Sequence, residues 1–194
     1  MLHSLLLSIQ DRVAEWAYRN HRPLLVKITN PQPEDGILDL GGGTGWIAAT
    51  FADICREVFV LDPDQKKLTF GKERRKNVRF IPGSADRIPF RNDYFSKVMI
   101  IASFHHFADQ ESALKEIRRV MHPNGLLVLL EFDPTTWRGK QVNFFENTLQ
   151  RMNCKYYTPS QLEEKVKQLG YEEISIIPSK FGYFLTAIKP SFGS

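Results

Sequence analysis

A chain of 194 residues, 42% hydrophobic and 25% charged, is long enough to close one core and short for two. Its net charge of +4 is spread along the chain, so nothing demands a nucleic acid partner, and the basic run 72–76 reads as a solvated helix face. Cys55 and Cys154 form no metal or redox spacing; a reducing cytoplasm and no metal are expected. From the start of the chain, Leu5, Ile9, Val13 and Trp16 recur at helical intervals and predict an amphipathic helix in the first 20 residues. That helix either packs on the core or lies as a lid over a site. The run Leu5-Leu6-Leu7 follows His3 without a basic leader or cleavage site and is neither a signal peptide nor a membrane span.

Pro31, Pro33 and Glu34-Asp35-Gly36 then break the chain. Ile37-Leu38-Asp39-Leu40 reads as a short buried strand, and Gly41-Gly42-Gly43-Thr44-Gly45 follows without a spacer. Such glycines allow positive φ and let a ligand approach the backbone. Ile47, Phe51 and Ile54 predict a helix directly after them. A strand that turns through glycines into a helix aims free N–H groups at whatever sits above the turn. Gly43-x-Gly45-x-x-Ala48, with Asp62 beyond it, fits a dinucleotide fingerprint. Asp39 favours a different ligand: its fixed negative charge would repel a pyrophosphate but suits the ammonium group of a methionine moiety.

Val58-Phe59-Val60-Leu61 is a second strand ending at Asp62, and Pro63 at a first helical position makes Asp62 a predicted helix cap. Further strands are expected at 77–81 and 97–101. A helix beginning at Asp109 carries Leu114, Ile117 and Met121 on one face. His122-Pro123-Asn124-Gly125 is a turn, and 126–130 is a strand buried on both faces. Thr158-Pro159-Ser160-Gln161 is a capping box that opens a helix ending near Gly170. The runs 174–177 and 183–188 are joined too closely for anything but an antiparallel hairpin. The fold class is therefore α/β, a Rossmann-like doubly wound sheet of about seven strands, mostly parallel with a C-terminal antiparallel hairpin.

Asp39-x-Gly41-x-Gly43-x-Gly45 resembles motif I of the class I S-adenosylmethionine-dependent methyltransferases. The resemblance runs from about residue 36 to residue 134 and is closest to the branch of the ubiquinone and menaquinone biosynthesis methyltransferases, whose substrates vary widely. It implies that Asp39, Gly41, Gly43 and Gly45 serve the cofactor and that Asp62 accepts from both ribose hydroxyls. Gly83-Ser84-Ala85-Asp86-Arg87-Ile88-Pro89-Phe90 matches the family's adenine-binding block, except that Ser84 replaces its first acid. Either Ser84 or Asp86 then meets the adenine amino group, beside the Ala85 amide. Ser103-Phe104-His105-His106-Phe107 matches the loop at the carboxyl end of a central strand. Ser103 is placed with the cofactor, and His106 and His105 are candidate general bases. Trp46, Phe104 and Phe107 offer aromatic faces to a sulfonium, or pack. The family's equivalent of 133–157 covers the acceptor; here it holds an amphipathic stripe of Val142, Phe145, Leu149 and Met152, with Tyr156 and Tyr157 as acceptor contacts or core.

The resemblance thus implies one methyltransferase domain over 1–194: a helical lid or packing segment at 1–30, a cofactor-binding core at 36–134, an acceptor cover at 135–157, and a terminal helix and hairpin at 158–194. The expected activity is methyl transfer from S-adenosyl-L-methionine to a small-molecule acceptor in the cytoplasm. The alternatives are a non-catalytic S-adenosylmethionine-binding partner or regulator and an NAD-dependent oxidoreductase.

Overall fold

The computed structural model describes residues 7–9, 11–13, 15, 16, 19–149, 151–180 and 182–191. His3, Leu5 and Leu6 of the expected first helix lie outside the described residues. The apolar runs assemble as β1 (Gly36–Leu40), β2 (Glu57–Asp62), β3 (Arg79–Pro82), β4 (Phe95–Ile101), β5 (Met121–Glu131), β6 (Glu172–Pro178) and β7 (Tyr183–Ile188). They form one seven-stranded sheet in the order β3-β2-β1-β4-β5-β7-β6. Neighbours from β3 to β5 are parallel, while β7 runs antiparallel to both β5 and β6. The fold class and the terminal hairpin are as the sequence implies. Strand order reverses between β1 and β4, so a crevice opens at their carboxyl ends, where open α/β sheets take ligands.

Among the described residues, the helices that flank the sheet include α1 (Arg22–Thr29), α2 (Gln65–Arg74), α3 (Gln110–Val120), α4 (Trp137–Phe144) and α5 (Pro159–Gln168). Strand side chains alternate between the two faces. Leu38 and Leu40 join Phe59, Leu61, Val98 and Ile100 on the face covered by α3 and α5. Ile37 joins Val58, Val60, Met99, Phe51 and Leu25 on the other face. Asp39 shares the parity of Ile37, so the pleat carries a carboxylate into an apolar layer. Asp109 caps α3 by accepting from Ser112 N at 3.0 Å, and Thr158 and Gln161 form the expected reciprocal box on α5. Among the described residues, no helix is long and apolar enough to cross a membrane.

Four local expectations are corrected. The run after Gly45 forms only a 3-10 turn, Ala48–Thr50, and not a regular helix. Ala48 and Phe51 are three apart and both fully buried, and 3-10 winding brings i and i+3 into line on the sheet. The cap of α2 is Asp64, which accepts from Lys66 N and Lys67 N at 2.9 and 3.2 Å; Asp62 is engaged elsewhere. The turn at 122–125 is a bulge inside β5, where Phe95 pairs with Met121 and Lys97 with Leu126, and Asn124 has φ 60°. The stripe through Phe145 and Met152 does not pack: both are exposed, with Phe144 and Trp137. A π-helical turn at Phe145–Leu149 follows α4, and its wider winding rotates later side chains off the stripe.

Candidate active site

The site begins with how β1 ends. Gly41, Gly43 and Gly45 have φ of 73°, 56° and 76°. Gly41 is pressed against β4, since a Cβ there would lie 2.7 Å from Ser103 Oγ. At Gly45 a Cβ would lie 2.7 Å from the Phe80 ring, so this glycine allows packing and does not border an opening. At Gly43 a Cβ would meet only ordinary contacts, Lys67 at 3.4 Å and Asp62 at 3.9 Å. Asp62 fixes the middle of the loop. Its Oδ2 accepts from Gly43 N at 2.9 Å and its Oδ1 from Asp64 N at 2.8 Å.

Two hollows meet at Gly41. The first, about 360 Å³, is bordered by Asp39, Gly41, Gly42, Gly43, Thr44 and Trp46, with Lys67, Ile101 and Ala102 opposite. Leu7 and Asp11 close one side of it. Asp11 is held there by Arg75 at 2.6 Å and by the Thr44 hydroxyl, and Arg75 also donates to Thr44 O at 3.0 Å. The stripe Ile9, Val13 and Trp16 is the outward face of this segment, 50–75% exposed, so that stripe does not pack on the core. The second hollow, about 160 Å³, is bordered by Leu61, Pro63, Ser84, Ala85, Asp86, His106 and Phe107. Asp62 lies between Leu61 and Pro63 of the second hollow and is bonded to Gly43 of the first.

Asp39 is the electrostatic oddity of the site. It is 1% exposed and its Oδ2 has no hydrogen-bond partner. Burial, then the nearby Asp62 charge, pushes its carboxyl up to about 7, against one backbone N–H donated by Ala48. A buried carboxylate oxygen left without a partner is costly unless a cation or donor arrives.

The 84–86 loop is anchored from behind by α3. Glu116 accepts from Ile88 N at 2.9 Å, while Arg119 donates to Ile88 O at 3.0 Å and Phe90 O at 2.8 Å. The Ser103 hydroxyl donates to Leu40 O at 3.0 Å, so Ser103 supports Gly41 and does not border either hollow. Phe104 is core. The two histidines part company. His105 is 2% exposed, with Nδ1 2.8 Å from Glu131 Oε2, and Glu131 Oε1 accepts from Phe104 N at 2.9 Å. His106 is exposed and borders the second hollow; burial of its ring and the neighbouring His105 lower its pKa. Tyr156 stacks on His105 with centroids 4.6 Å apart, and its hydroxyl meets Glu146. Tyr157 sits over Phe104 and receives a bond on its carbonyl from Tyr183 Oη at 2.9 Å. Neither tyrosine borders either of the two hollows that meet at Gly41.

The sequence reading thus finds Asp39, Gly41, Gly43, Ser84, Ala85, Asp86 and His106 around one groove, with Asp62 at its hinge. It misses Thr44, inside the glycine run itself, and Leu7, Asp11 and Lys67, which no spacing rule marks because distant segments bring them together.

Comparison with known proteins bears on the family and the fold. A family model described as a methyltransferase domain matches residues 38–129. A demethylmenaquinone methyltransferase of Thermotoga maritima is 30% identical over 171 residues, covering 76% of this chain and 73% of its own. A ubiquinone/menaquinone biosynthesis C-methyltransferase of Vibrio vulnificus is 29% identical over 133 residues, covering 64% of this chain and 51% of its own. The chain therefore spans about half the length of the first curated relatives it matches. In fold, it resembles a SAM-dependent methyltransferase from Aquifex aeolicus with a TM-score of 0.71 at 15% identity, over 86% of this chain and 88% of the other.

Proposed function

The chain belongs to the class I S-adenosylmethionine-dependent methyltransferases, and from that premise we propose that it methylates a small organic acceptor in the cytoplasm. The cofactor is S-adenosyl-L-methionine, and the residues present fit it. The observation that carries the reading is the orphaned Oδ2 of Asp39 at the edge of the first hollow. A methionine ammonium beside it supplies both the missing donor and the missing positive charge. Gly41 lets the turn pack against Ser103, and Gly43 keeps the mouth of β1 free of a Cβ on the Lys67 side. Asp62, already holding the loop, has lone pairs left for ribose hydroxyls. Ser84, Ala85 and Asp86 border the hollow suited to adenine, with Ser84 and Asp86 the two acceptors available to its amino group.

When bound, the cofactor supplies a methyl group already activated by its sulfonium. The protein's task is then alignment and exclusion of water, and proximity alone is worth roughly 7–11 kcal/mol. Trp46 and Phe107 supply apolar wall on the two sides of the groove. Of the two histidines, only His106 can take a proton from an acceptor in the groove; the burial of His105 and its bond to Glu131 make it a positioning residue.

Calorimetric titration tests the cofactor assignment: S-adenosylmethionine and S-adenosylhomocysteine should bind and NAD should not. Activity is tested by methyl incorporation from labelled cofactor into a metabolite pool. The names of the two relatives make demethylmenaquinone the first acceptor to assay. Cofactor binding without incorporation into any acceptor would favour a binding or regulatory role over catalysis.

A further inference from the structure

The two histidines of the wall 103–107 meet two side chains, Glu146 and Cys154, that the methyl-transfer reading does not use. His105, His106, Glu146 and Cys154 each present one ligand atom, and these atoms lie within 4.8 Å of one another. The geometry points to a divalent transition-metal site, zinc by its donor set, that latches the acceptor cover onto the end of β4.

His105 Nε2 is buried without a hydrogen-bond partner, and its nearest facing atom is Glu146 Oε2 at 3.4 Å. His106 Nδ1 and Cys154 Sγ are 3.1 Å apart. Ligands around tetrahedral zinc, with metal bonds of about 2.0–2.3 Å, stand roughly 3.3–3.6 Å from one another. Two pairs are therefore near that spacing, and the set closes with shifts of about an ångström. Two imidazoles, one thiol and one carboxylate suit zinc; magnesium and calcium prefer an all-oxygen set. The outer contacts also match a metal site. Glu131 accepts from His105 Nδ1, which leaves the Nε2 lone pair aimed into the cluster, and Phe104 N holds Glu131 in place. A carboxylate behind a ligating imidazole is the recurring second layer of such sites. On binding, the Cys154 thiol gives its proton to solvent and coordinates as thiolate.

The ligands come from two regions. His105 and His106 follow β4, while Glu146 and Cys154 belong to the cover, on either side of Arg151. A bound metal would close that loop and fix it to the sheet, and with the metal on Nδ1, His106 would serve as ligand and no longer as base. The inference goes beyond the methyl-transfer reading and does not depend on the acceptor.

The test uses the full chain, stripped of metal, with Zn²⁺ or Co²⁺ alone as probe. One equivalent of Zn²⁺ should be retained through gel filtration and should slow tryptic cleavage after Arg151. Co²⁺ should give a thiolate-to-metal charge-transfer band in the near ultraviolet. Cys154→Ser should abolish the band and weaken Zn²⁺ binding at least about 100-fold, and Glu131→Gln should weaken it about 10–100-fold while keeping the band at saturation. Binding of S-adenosylhomocysteine should be unchanged in both variants, which separates failure of the metal site from failure of the cofactor assignment. Wild-type protein that retains no Zn²⁺ and gives no charge-transfer band would overturn the proposal. So would Cys154→Ser protein that binds Zn²⁺ as tightly as the parent.

Discussion

The floor of the groove and its proposed cover are held in opposite ways. The floor is β1 with its glycine turn, and each of the five strand residues is buried and paired with β2, Ile37, Leu38 and Asp39 also with β4. The cover, 137–157, leaves Trp137, Phe144, Phe145 and Met152 in solvent and is tied inward by polar contacts. Lys155 N donates to His105 O at 3.0 Å, Gln110 Nε2 donates to Lys155 O at 2.8 Å, and Asn147 Nδ2 donates to Cys154 O at 2.9 Å. Apolar burial sums over many contacts and resists any shift of register. A polar tie acts at one point, with a net worth of about 0.5–1.5 kcal/mol, and can open alone. The glycine turn is thus part of the sheet, while the proposed cover is attached to it.

The largest expected break is at Asp39. Leaving one partner of a buried charge pair alone costs about 3–5 kcal/mol, so Asp39→Asn should weaken S-adenosylmethionine binding about 10²–10⁴-fold by calorimetry. The same change should relieve the empty protein. The folded-state pKa is about 7 against the ordinary carboxyl value of 3.8. Between those values the folded chain keeps a proton that the unfolded chain has released, so Asp39's contribution to stability falls as pH rises through that window. Thermal melts should show the variant more stable than the parent at pH 8 and the advantage gone at pH 4. A less stable variant at pH 8 would contradict the buried charge.

Gly45→Ala tests whether the third glycine serves packing. With φ of 76° and Phe80 2.7 Å from the new Cβ, it should cost about 2–4 kcal/mol, read as a lower urea midpoint. Asp62→Asn follows. It loses a charged double acceptor in the loop and toward the ribose, and should weaken cofactor binding about 10–100-fold, from roughly 1.5–3 kcal/mol. Because Asp64 is the cap of α2, the helix should not unravel, and far-ultraviolet dichroism checks this.

The smallest effect is expected in the cover. Tyr156→Phe removes one hydroxyl tie to Glu146 and should cost about 1 kcal/mol. Faster amide exchange should appear in 145–157 with cofactor affinity unchanged. A global loss of stability there would erase the contrast between floor and cover.

The same contrast governs what the sequence could disclose. β1, β2, β4 and the terminal hairpin were legible because continuous apolar runs and short joints leave few alternatives. Asp109 and Thr158 were legible because a cap acts within three residues of itself. Asp62 was misread as a cap because Asp64 offers the same chemistry two positions later, and the nearer carboxylate went to Gly43. The cover was misread because helical spacing assumes constant winding, and the π turn at Phe145–Leu149 breaks it. Asp11, Lys67 and the grouping of Glu146 with His105 depend on contacts between distant segments, which no local pattern records.

The bridge from Asp11 to Arg75 bears on timing more than on affinity. It holds a side wall against the first hollow through one ion pair, whose side chains are 12% and 14% exposed. At 2.6 Å the pair lies inside the screening length, about 8 Å at physiological strength and about 3 Å at 1 M, and its largely buried side chains are screened little. Residence time in the first hollow should therefore change little as salt rises, and stopped-flow release of S-adenosylhomocysteine would measure it. Asp11→Asn should shorten it at every ionic strength. The turnover clock of this protein would then be set partly by how often a single carboxylate lets go of a guanidinium.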